Sequence, residues 1–404
     1  MKVLFDLTGS HDSAGIGRYS RSLIQALTAG GQVSTELLAG RWEYDYCVEV
    51  DPRLREIPVT FKRGVSGLLD RIHAAGVTLC LRDVETRRDL MSRLLRRGAM
   101  NASDIARRVS RRTPEFDPRR ADVYHRLCGP LPTHHDLPTV LTFFDLIPFQ
   151  FWEAGPGVER IYERLLSSIT PQTVVLAISE STRNDFLKAT GHSPGLTRVT
   201  YLGVDRRIFH PSPDGSMGDP ENPYILSACT LEARKNLTVV LRAFAQVCEL
   251  PHLRRLRLVL VGGKTHLLRA KMDELRLASS VRDRVTIAGV VSDDELAALY
   301  RCALCLVFPS LHEGFGLPVL EAMSCGTPAI VAAATSLPEV VGTEGITLSP
   351  HDPAEWTLAI DRLASDESWR SKQRAWALKQ SNCFSWERCA QETVTAYQLA
   401  VHGM

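Results

Sequence analysis

Two glutamates and two neighbouring cations are the residues whose types and spacing best fit a chemical site. Glu313 precedes a glycine-bracketed phenylalanine, and Glu321 follows eight residues later. Carboxylates accept hydrogen bonds from neutral hydroxyls and repel phosphate, so this pair predicts contacts to sugar and ribose. Arg234 and Lys235 stand just before an apolar periodic segment, where positive charge opposes a helix dipole unless an anion is bound. Together they predict a nucleotide-sugar pocket, although each glutamate alone also fits a loop charge or a solvated helix face.

Two short strand–helix units are expected to position the glutamates. Residues 304–308 predict a buried strand, and Pro318 opens a short helix. Residues 329–333 predict a second strand, and Ser336 and Glu339 have the spacing of a capping box at another helix start. Helix N-termini beside the carboxyl ends of neighbouring parallel strands form an anion site, because their unpaired N–H groups and dipoles favour phosphate.

The string around the glutamates has a familiar pattern. Residues 313–328, E-G-F-G-L-P-V-L-E-A-M-S-C-G-T-P, resemble the signature of the retaining glycosyltransferases of family 4. The resemblance implies the GT-B fold, an α/β architecture of two Rossmann-like domains facing across a cleft, with a C-terminal helix crossing back to the first domain. It assigns Glu313 to the transferred sugar and Glu321 to the ribose. It also implies that the intervening loop contacts the donor, namely Gly314, Phe315, Gly316 and Leu317.

A second string resembles the family's diphosphate motif. Residues 232–236, E-A-R-K-N, make Lys235 the chief diphosphate contact by this resemblance. Many relatives have an arginine six residues before that lysine, whereas this chain has Cys229 there. The second cation would then come from Arg234 or Arg18.

The N-terminal segment predicts a Rossmann-type opening of strand, glycine loop and helix. Residues 2–6 form the strand, and Gly15, Gly17 and Arg18 belong to the loop before a helix expected over 19–27. Ser20 stands where a dinucleotide fingerprint would have its third glycine, so that interpretation is weak. By resemblance the loop faces the donor phosphates and the acceptor; a simple tight turn is the alternative.

The remaining pocket residues are assigned by resemblance. Gly262 ends a predicted strand, and Val290 lies in a stretch like the family's, whose backbone reads the base. Relatives usually have His-Asp where this chain has Phe144 and Asp145, which implies a changed acceptor pocket in which Asp145 could orient the acceptor hydroxyl. His125 is a candidate acceptor-side residue or a structural histidine.

Length and charge bound the organisation of the chain. The 404 residues suggest two domains, and the net charge of +2 argues against nucleic-acid binding. We expect a first, acceptor-side domain over 1–210, a linker over 211–223, a nucleotide-sugar domain over 224–384, and a helix over 385–404 that packs back on the first domain. The linker is expected because its proline, glycine and serine residues show no apolar period.

Other features bear on location and metals. No 18-residue apolar stretch or signal-like start is found, so a cytoplasmic protein is expected. Residues 82–120 hold twelve arginines and six acidic residues, and a helix over 84–97 could rest on an anionic membrane or be an ordinary solvated helix. Cys302 and Cys305 form a C-x-x-C that more plausibly marks a buried strand than a metal or redox site. We expect no metal, and Asp293-Asp294 is interpreted as a helix cap.

The predicted reaction is transfer of a hexose from a nucleoside diphosphate sugar to an acceptor hydroxyl, with retention at the anomeric carbon. Cations and helix N-termini would stabilise the departing diphosphate, so no metal or cofactor is needed, and its own oxygen is a plausible base, as proposed for relatives. GDP-mannose is favoured because E-x-R-K-N with a C-terminal F-S-W is common in mannosyl- and rhamnosyltransferases. The acceptor could be a lipid-linked glycan, a small molecule or a protein. The alternatives are a non-catalytic sugar-nucleotide-binding scaffold and a nucleotide-sugar epimerase.

Overall fold

The described part of the chain contains two parallel sheets. A computed structural model describes residues 1–7, 15–39, 52–61, 121–127, 131, 136–147, 156–213, 218–219, 221–230, 232–263 and 265–403. The arginine-rich segment 82–120 and the helix expected over 84–97 lie outside these residues. Within the described residues, no helix combines the length and apolar character needed to cross a membrane.

The first sheet has seven described strands in the order β3-β2-β1-β4-β5-β6-β7. These strands are β1 (Lys2–Asp6), β2 (Ser34–Ala39), β3 (Val59–Phe61), β4 (Val123–Arg126), β5 (Thr139–Phe143), β6 (Val174–Ala177) and β7 (Thr197–Val199). The described helices of this half are α1 (Gly15–Gly30), α2 (Pro156–Ser168) and α3 (Glu180–Thr190). Central strands such as β4 and β6 are buried along their whole length, as expected of a parallel sheet covered on both faces.

The second sheet has six described strands in the order β10-β9-β8-β11-β12-β13. They are β8 (Tyr224–Ala228), β9 (Arg257–Val261), β10 (Val285–Gly289), β11 (Cys305–Phe308), β12 (Ala329–Ala332) and β13 (Ile346–Leu348). The helices are α4 (Leu237–Cys248), α5 (Thr265–Glu274), α6 (Ser279–Arg282), α7 (Asp293–Cys302), α8 (Leu317–Ser324), α9 (Leu337–Val341), α10 (Pro353–Ser365), α11 (Glu367–Ser381) and α12 (Trp386–His402). Two parallel Rossmann-like halves confirm the predicted fold class.

The last helix crosses back to the first half, as predicted. The Ser385 hydroxyl accepts from the Arg388 N–H and so caps the start of α12. Along α12, Tyr397 is fully buried and its hydroxyl lies 2.7 Å from Nδ1 of His125 on β4. The contact ties the C-terminus of the chain to the middle of the first sheet.

The start of the first helix differs from the sequence expectation. Helix α1 begins at Gly15 rather than near residue 19, so the expected glycine loop forms the first turn of the helix. Strand β7 ends at Val199. Gly203 lies close to the last helix, because an added Cβ there would collide with the Trp386 backbone. This part of the chain leaves the sheet to pack against the start of α12.

Candidate functional site

The proposed phosphate end of the site is built within the second half of the chain. Lys235 ends a 3-10 turn, Ala233–Lys235, and Asn236 (φ 52°) then caps α4 in a left-handed conformation. The Lys235 ammonium forms an ion pair with Glu313 Oε1. Arg234 lies 3.2 Å from Glu313 Oε2 through Nη1 and 3.0 Å from Glu232 through Nη2. The two cations therefore converge on one carboxylate.

This convergence sets the charge state of Glu313. Burial works to raise the pKa of this carboxyl, but Lys235 and Arg234 hold it below its usual range. Glu313 is consequently ionised at neutral pH. The sequence predicts that these cations contact phosphate, whereas in the structure they neutralise the carboxylate expected to contact sugar.

The loop of residues 313–316 is held in place by hydrogen bonds and by packing. The Ser336 hydroxyl donates to the carbonyls of Glu313 (2.9 Å) and Phe315 (2.8 Å). Phe315 is only 3% exposed and packs against Tyr201 and Phe384. Its side chain therefore anchors the loop in the core, and its predicted donor contact is limited to backbone atoms.

Two glycines of this loop are required by geometry. Gly316 has φ +116°, in the left-handed region, and serves as the N-cap of α8, whose first residue is Leu317. An added Cβ at Gly314 would collide with the Phe144 carbonyl oxygen of the first half. The Thr182 hydroxyl donates to both the Gly314 and the Phe144 carbonyls, at 3.1 and 3.2 Å. The loop is thus a point of close contact between the two halves.

The proposed ribose end lies at Glu321 on α8. Its carboxylate is buried (4% exposed) and forms an ion pair with Arg18 of α1 through Oε1, while the Tyr300 hydroxyl lies 3.4 Å from Oε2. The second nitrogen of the Arg18 guanidinium donates to Asp293 at 2.6 Å. The cap interpretation of Asp293 is corrected, because Ser292 forms the capping box with Glu295 and Asp293 instead reaches Arg18.

A cavity of about 420 Å³ adjoins this end of the site. Its lining combines α1 of the first half with α7 and α8 of the second. The lining includes Arg18, Arg21, Asp205, Asp293, Leu317 and Glu321. Gly15 (φ +51°) and Gly17 lie in the turn of α1 that carries Arg18. The structure therefore brings the predicted residues of the N-terminal segment to Glu321, across the cleft.

On the proposed acceptor side, Phe144 and Asp145 follow β5. The Phe144 ring makes an edge contact with Tyr19, and Asp145 accepts a hydrogen bond from the Ile147 N–H at 2.9 Å. Burial raises the pKa of Asp145 to about 6, and Glu313 adds to the shift. Asp145 therefore lies within electrostatic reach of the phosphate end.

The expectation that His125 borders the acceptor pocket is corrected. Its ring is fully buried and hydrogen-bonds to the Tyr397 and Thr142 hydroxyls at 2.7 and 2.9 Å. Burial lowers the pKa of His125 to about 3, so the imidazole is neutral. It is a structural residue that joins the sheet to the last helix.

Two predicted donor residues come directly after strands of the second sheet, Gly262 after β9 and Val290 after β10. Gly262 has φ +140°, and an added Cβ would collide with the Cys229 carbonyl. Cys229 is a free thiol whose pKa burial raises. Val290 follows β10 and is 83% exposed.

The contact that Glu339 makes between the two halves was not predicted from the sequence. The Glu339 carboxylate accepts from the N–H groups of Glu180 and Ser181, both at 2.8 Å, and from the Tyr201 hydroxyl at 3.1 Å. The spacing of Ser336 and Glu339 suggested a local capping box, but the Ser336 side chain makes no capping hydrogen bond. The helix start was correct, yet Glu339 caps α3 of the other half.

The two cysteines of the C-x-x-C sequence, Cys302 and Cys305, lie in different surroundings. Cys305 is buried in β11, whereas Cys302 is exposed at the end of α7, contrary to the expected apolar setting. Both are free thiols. In the part of the chain that the structure describes, no group of three or more His, Cys, Asp or Glu side chains could hold a metal ion.

Comparison with known proteins identifies the family. Residues 222–366 match the family model described as glycosyl transferases group 1. The chain is 32% identical to the O-antigen chain mannosyltransferase B of Escherichia coli in an alignment of 272 positions that covers 64% of this chain and 70% of that protein. The chain belongs to the group 1 glycosyltransferases.

Other relatives of this group 1 member are matched over less of their length. The serotype-specific mannosyltransferase WbdA of Escherichia coli is 31% identical over 64% of this chain, but this covers only 33% of WbdA. The D-inositol 3-phosphate glycosyltransferase of Streptomyces bingchenggensis is 32% identical over 57% of this chain and 53% of its own length.

Solved structures with the same fold cover nearly the whole group 1 chain. The sucrose-phosphate synthase of Thermosynechococcus elongatus aligns with a TM-score of 0.67 at 19% identity, covering 98% of each chain. HepE of Anabaena, in complex with UDP and glucose, aligns with a TM-score of 0.63 at 18% identity over 98% of this chain and 99% of HepE. Such low identities show the fold alone, and this fold is GT-B.

Proposed function

We propose that this glycosyltransferase moves a hexose from a nucleoside diphosphate sugar to an acceptor hydroxyl, with retention, during polysaccharide or glycoconjugate assembly. The observation that carries the proposal is the meeting of Arg234, Lys235 and Glu313 beside Asp145 of the opposite half. Two cations that share one carboxylate can exchange that partner for a diphosphate.

The proposed donor-binding step is an exchange of partners. The donor diphosphate takes Lys235 and Arg234 as its counter-ions, and Glu313 is then free to accept hydrogen bonds from hydroxyls of the transferred sugar. Positive charge already fixed at the diphosphate stabilises the negative charge that develops as the glycosidic bond breaks. The leaving phosphate oxygen removes the acceptor proton, and ionised Asp145 orients the acceptor hydroxyl.

GDP-mannose is our preferred donor. Support comes from the mannosyltransferase names of the relatives and from the E-x-R-K-N string at residues 232–236. The HepE complex holds UDP and glucose, so a uridine donor is the competing choice. A polysaccharide acceptor is likewise proposed from the name of the O-antigen enzyme. Independence from metals and cofactors, a cytoplasmic position and membrane contact through residues 82–120 stay predictions.

The test begins with a thermal-shift panel of GDP, UDP, dTDP and ADP, each with and without its common sugars. A ligand that binds the native state raises the melting temperature by mass action. The preferred sugar nucleotide is then incubated with EDTA and a simple sugar acceptor, and the anomeric configuration of the product is read by NMR. Transfer with retention supports the proposal, and inversion refutes the retaining mechanism. An isomerised donor indicates an epimerase, and binding without turnover indicates the scaffold.

A further inference from the structure

Arg18 reaches Glu321 from the opposite domain. It projects from the first turn of α1. Its guanidinium donates a hydrogen bond through Nη1 to Glu321 and another through Nη2 to Asp293. The guanidinium carbon also lies 5.6 Å from the centroid of the Phe209 ring. Three neighbours thus fix the orientation of the side chain, which is only 21% exposed. Arg18 therefore acts on a specific carboxylate across the cleft, that of Glu321, and does not merely add positive charge to the cleft.

Glu321 lies in surroundings that oppose its ionisation. Burial raises its pKa, and the Asp293 carboxylate adds to this effect. Arg18 acts in the opposite direction, and the Tyr300 hydroxyl at 3.4 Å does so weakly. These three side chains are the ones from the first half and from α7 that act on the carboxyl. Removal of Arg18 would leave a buried carboxylate beside a second carboxylate, with no cation from these elements to compensate.

We infer that Arg18 is a positioning residue of the first domain that keeps Glu321 ionised and turned toward the cleft, so that the ribose end of the second domain is completed by a residue of the first. The inference rests on the proposed function, in which Glu321 accepts hydrogen bonds from the ribose. An ionised carboxylate offers acceptors on both oxygens, whereas a protonated one presents a donor on one of them. Arg18 therefore acts on the donor through Glu321.

The experiment measures nucleotide affinity against pH. The nucleoside diphosphate that stabilises the wild-type protein most in the thermal-shift panel is titrated by calorimetry between pH 5.5 and 8.5. The proteins compared are wild type, Arg18→Gln and Arg18→Lys, with Arg388→Gln as the charge-matched control, because Arg388 is an exposed residue of α12 paired with Glu392. The phosphate groups of the ligand titrate equally in all four, so differences between the curves report on the protein.

The expected result is a displaced curve for Arg18→Gln. As the pH is lowered, the affinity of Arg18→Gln for the nucleoside diphosphate should be lost at a pH about one to three units higher than in the wild type. The reason is that a nearby opposite charge shifts a carboxyl pKa by that amount. Affinity should recover at the alkaline end. Arg18→Lys keeps a positive charge and should follow the wild-type midpoint more closely, and Arg388→Gln should match the wild type. If Arg18→Gln does not fold, Arg18→Met provides a second neutral side chain of similar length.

Two results would overturn the inference in different ways. A uniform loss of affinity at every pH, with an unchanged midpoint, would make Arg18 a direct phosphate contact or a purely structural residue. If the wild-type protein bound none of the nucleotides, the proposed function itself would fall. Binding by the wild type with identical midpoints in all variants would refute only the role of Arg18.

Discussion

The two ends of the proposed donor site stabilise a buried glutamate in different ways. Glu313 receives both of its cations, Lys235 and Arg234, from its own half of the chain, and its pKa lies below the usual range. Glu321 receives its cation from the opposite half through Arg18, and burial together with Asp293 keeps its pKa above the usual range. The proposed phosphate end is therefore preassembled within one domain, whereas the proposed ribose end is completed by contact between domains.

The largest effect should come from breaking the phosphate end. Lys235→Ala removes the cation closest to Glu313, and we expect kcat to fall roughly 100- to 1000-fold, the usual loss when one preorganised charge-stabilising group is removed. Turnover is measured by product formation at saturating donor. Lys188→Ala, at an exposed position of α3, is the matched control and should behave as wild type. Near-normal turnover of Lys235→Ala would refute the site assignment.

Replacing each of the two glutamates with neutral glutamine should affect different steps, nucleotide binding in one case and turnover in the other. Glu321→Gln should weaken nucleoside diphosphate binding roughly ten- to a hundredfold, as expected for loss of hydrogen bonds to a charged group. Glu313→Gln should leave that affinity within a few-fold of wild type and lower kcat instead, because its proposed partner is the sugar. Calorimetry with the diphosphate and kinetics with the sugar nucleotide give both readouts. Equal loss of diphosphate affinity in both variants would abolish the distinction between the two ends.

Contact between the domains can be tested at Gly314. The added methyl group of Gly314→Ala would collide with the Phe144 carbonyl, and overpacking costs about 1–3 kcal/mol. Since the collision can be relieved by opening the cleft, we expect turnover to fall roughly tenfold while the melting temperature changes by only a few degrees. Gly30→Ala is the comparison variant, because its Cβ would meet open space. A large loss of stability with normal turnover would contradict this view.

The smallest effect concerns pH. With the pKa of Asp145 raised to about 6, turnover should rise as pH increases through 6, because ionised Asp145 is the form that orients the acceptor. Asp145→Asn should lose this rising limb. The folded-state pKa lies above the unfolded value of 3.8, so ionisation of Asp145 also works against folding as pH rises from about 4 to 6. Thermal melts across that window should show a smaller decline for Asp145→Asn.

The sequence predicted the architecture and the local strand–helix units well. Strands β1, β11 and β12 and the start of α8 lie within one residue of the expected positions. Their signals are local, namely short apolar runs bounded by proline and glycine. The family resemblance, confirmed by the comparisons, supplied the two-domain topology that local patterns do not contain.

Partners distant in sequence could not be predicted. Asp293 fits a helix cap until α1 is seen to bring Arg18 beside it, and Ser336 fits a cap until the carbonyl of Glu313 is seen above its hydroxyl. His125 and Phe315 are similar cases, because burial depends on what other elements cover a position. The roles assigned to the site residues stay predictions that the experiments above address.

Glu339 gives the molecule a built-in reporter of its own opening. The second domain supplies the acceptor for the first two amides of α3, whereas the first domain's own Ser179 accepts from Thr182. When the halves separate, the amides of Glu180 and Ser181 lose their partner and become accessible to solvent. Their hydrogen-exchange rates should therefore follow the fraction of open molecules, and a bound donor that favours the closed form should slow exchange at these two amides while leaving Thr182 largely unchanged.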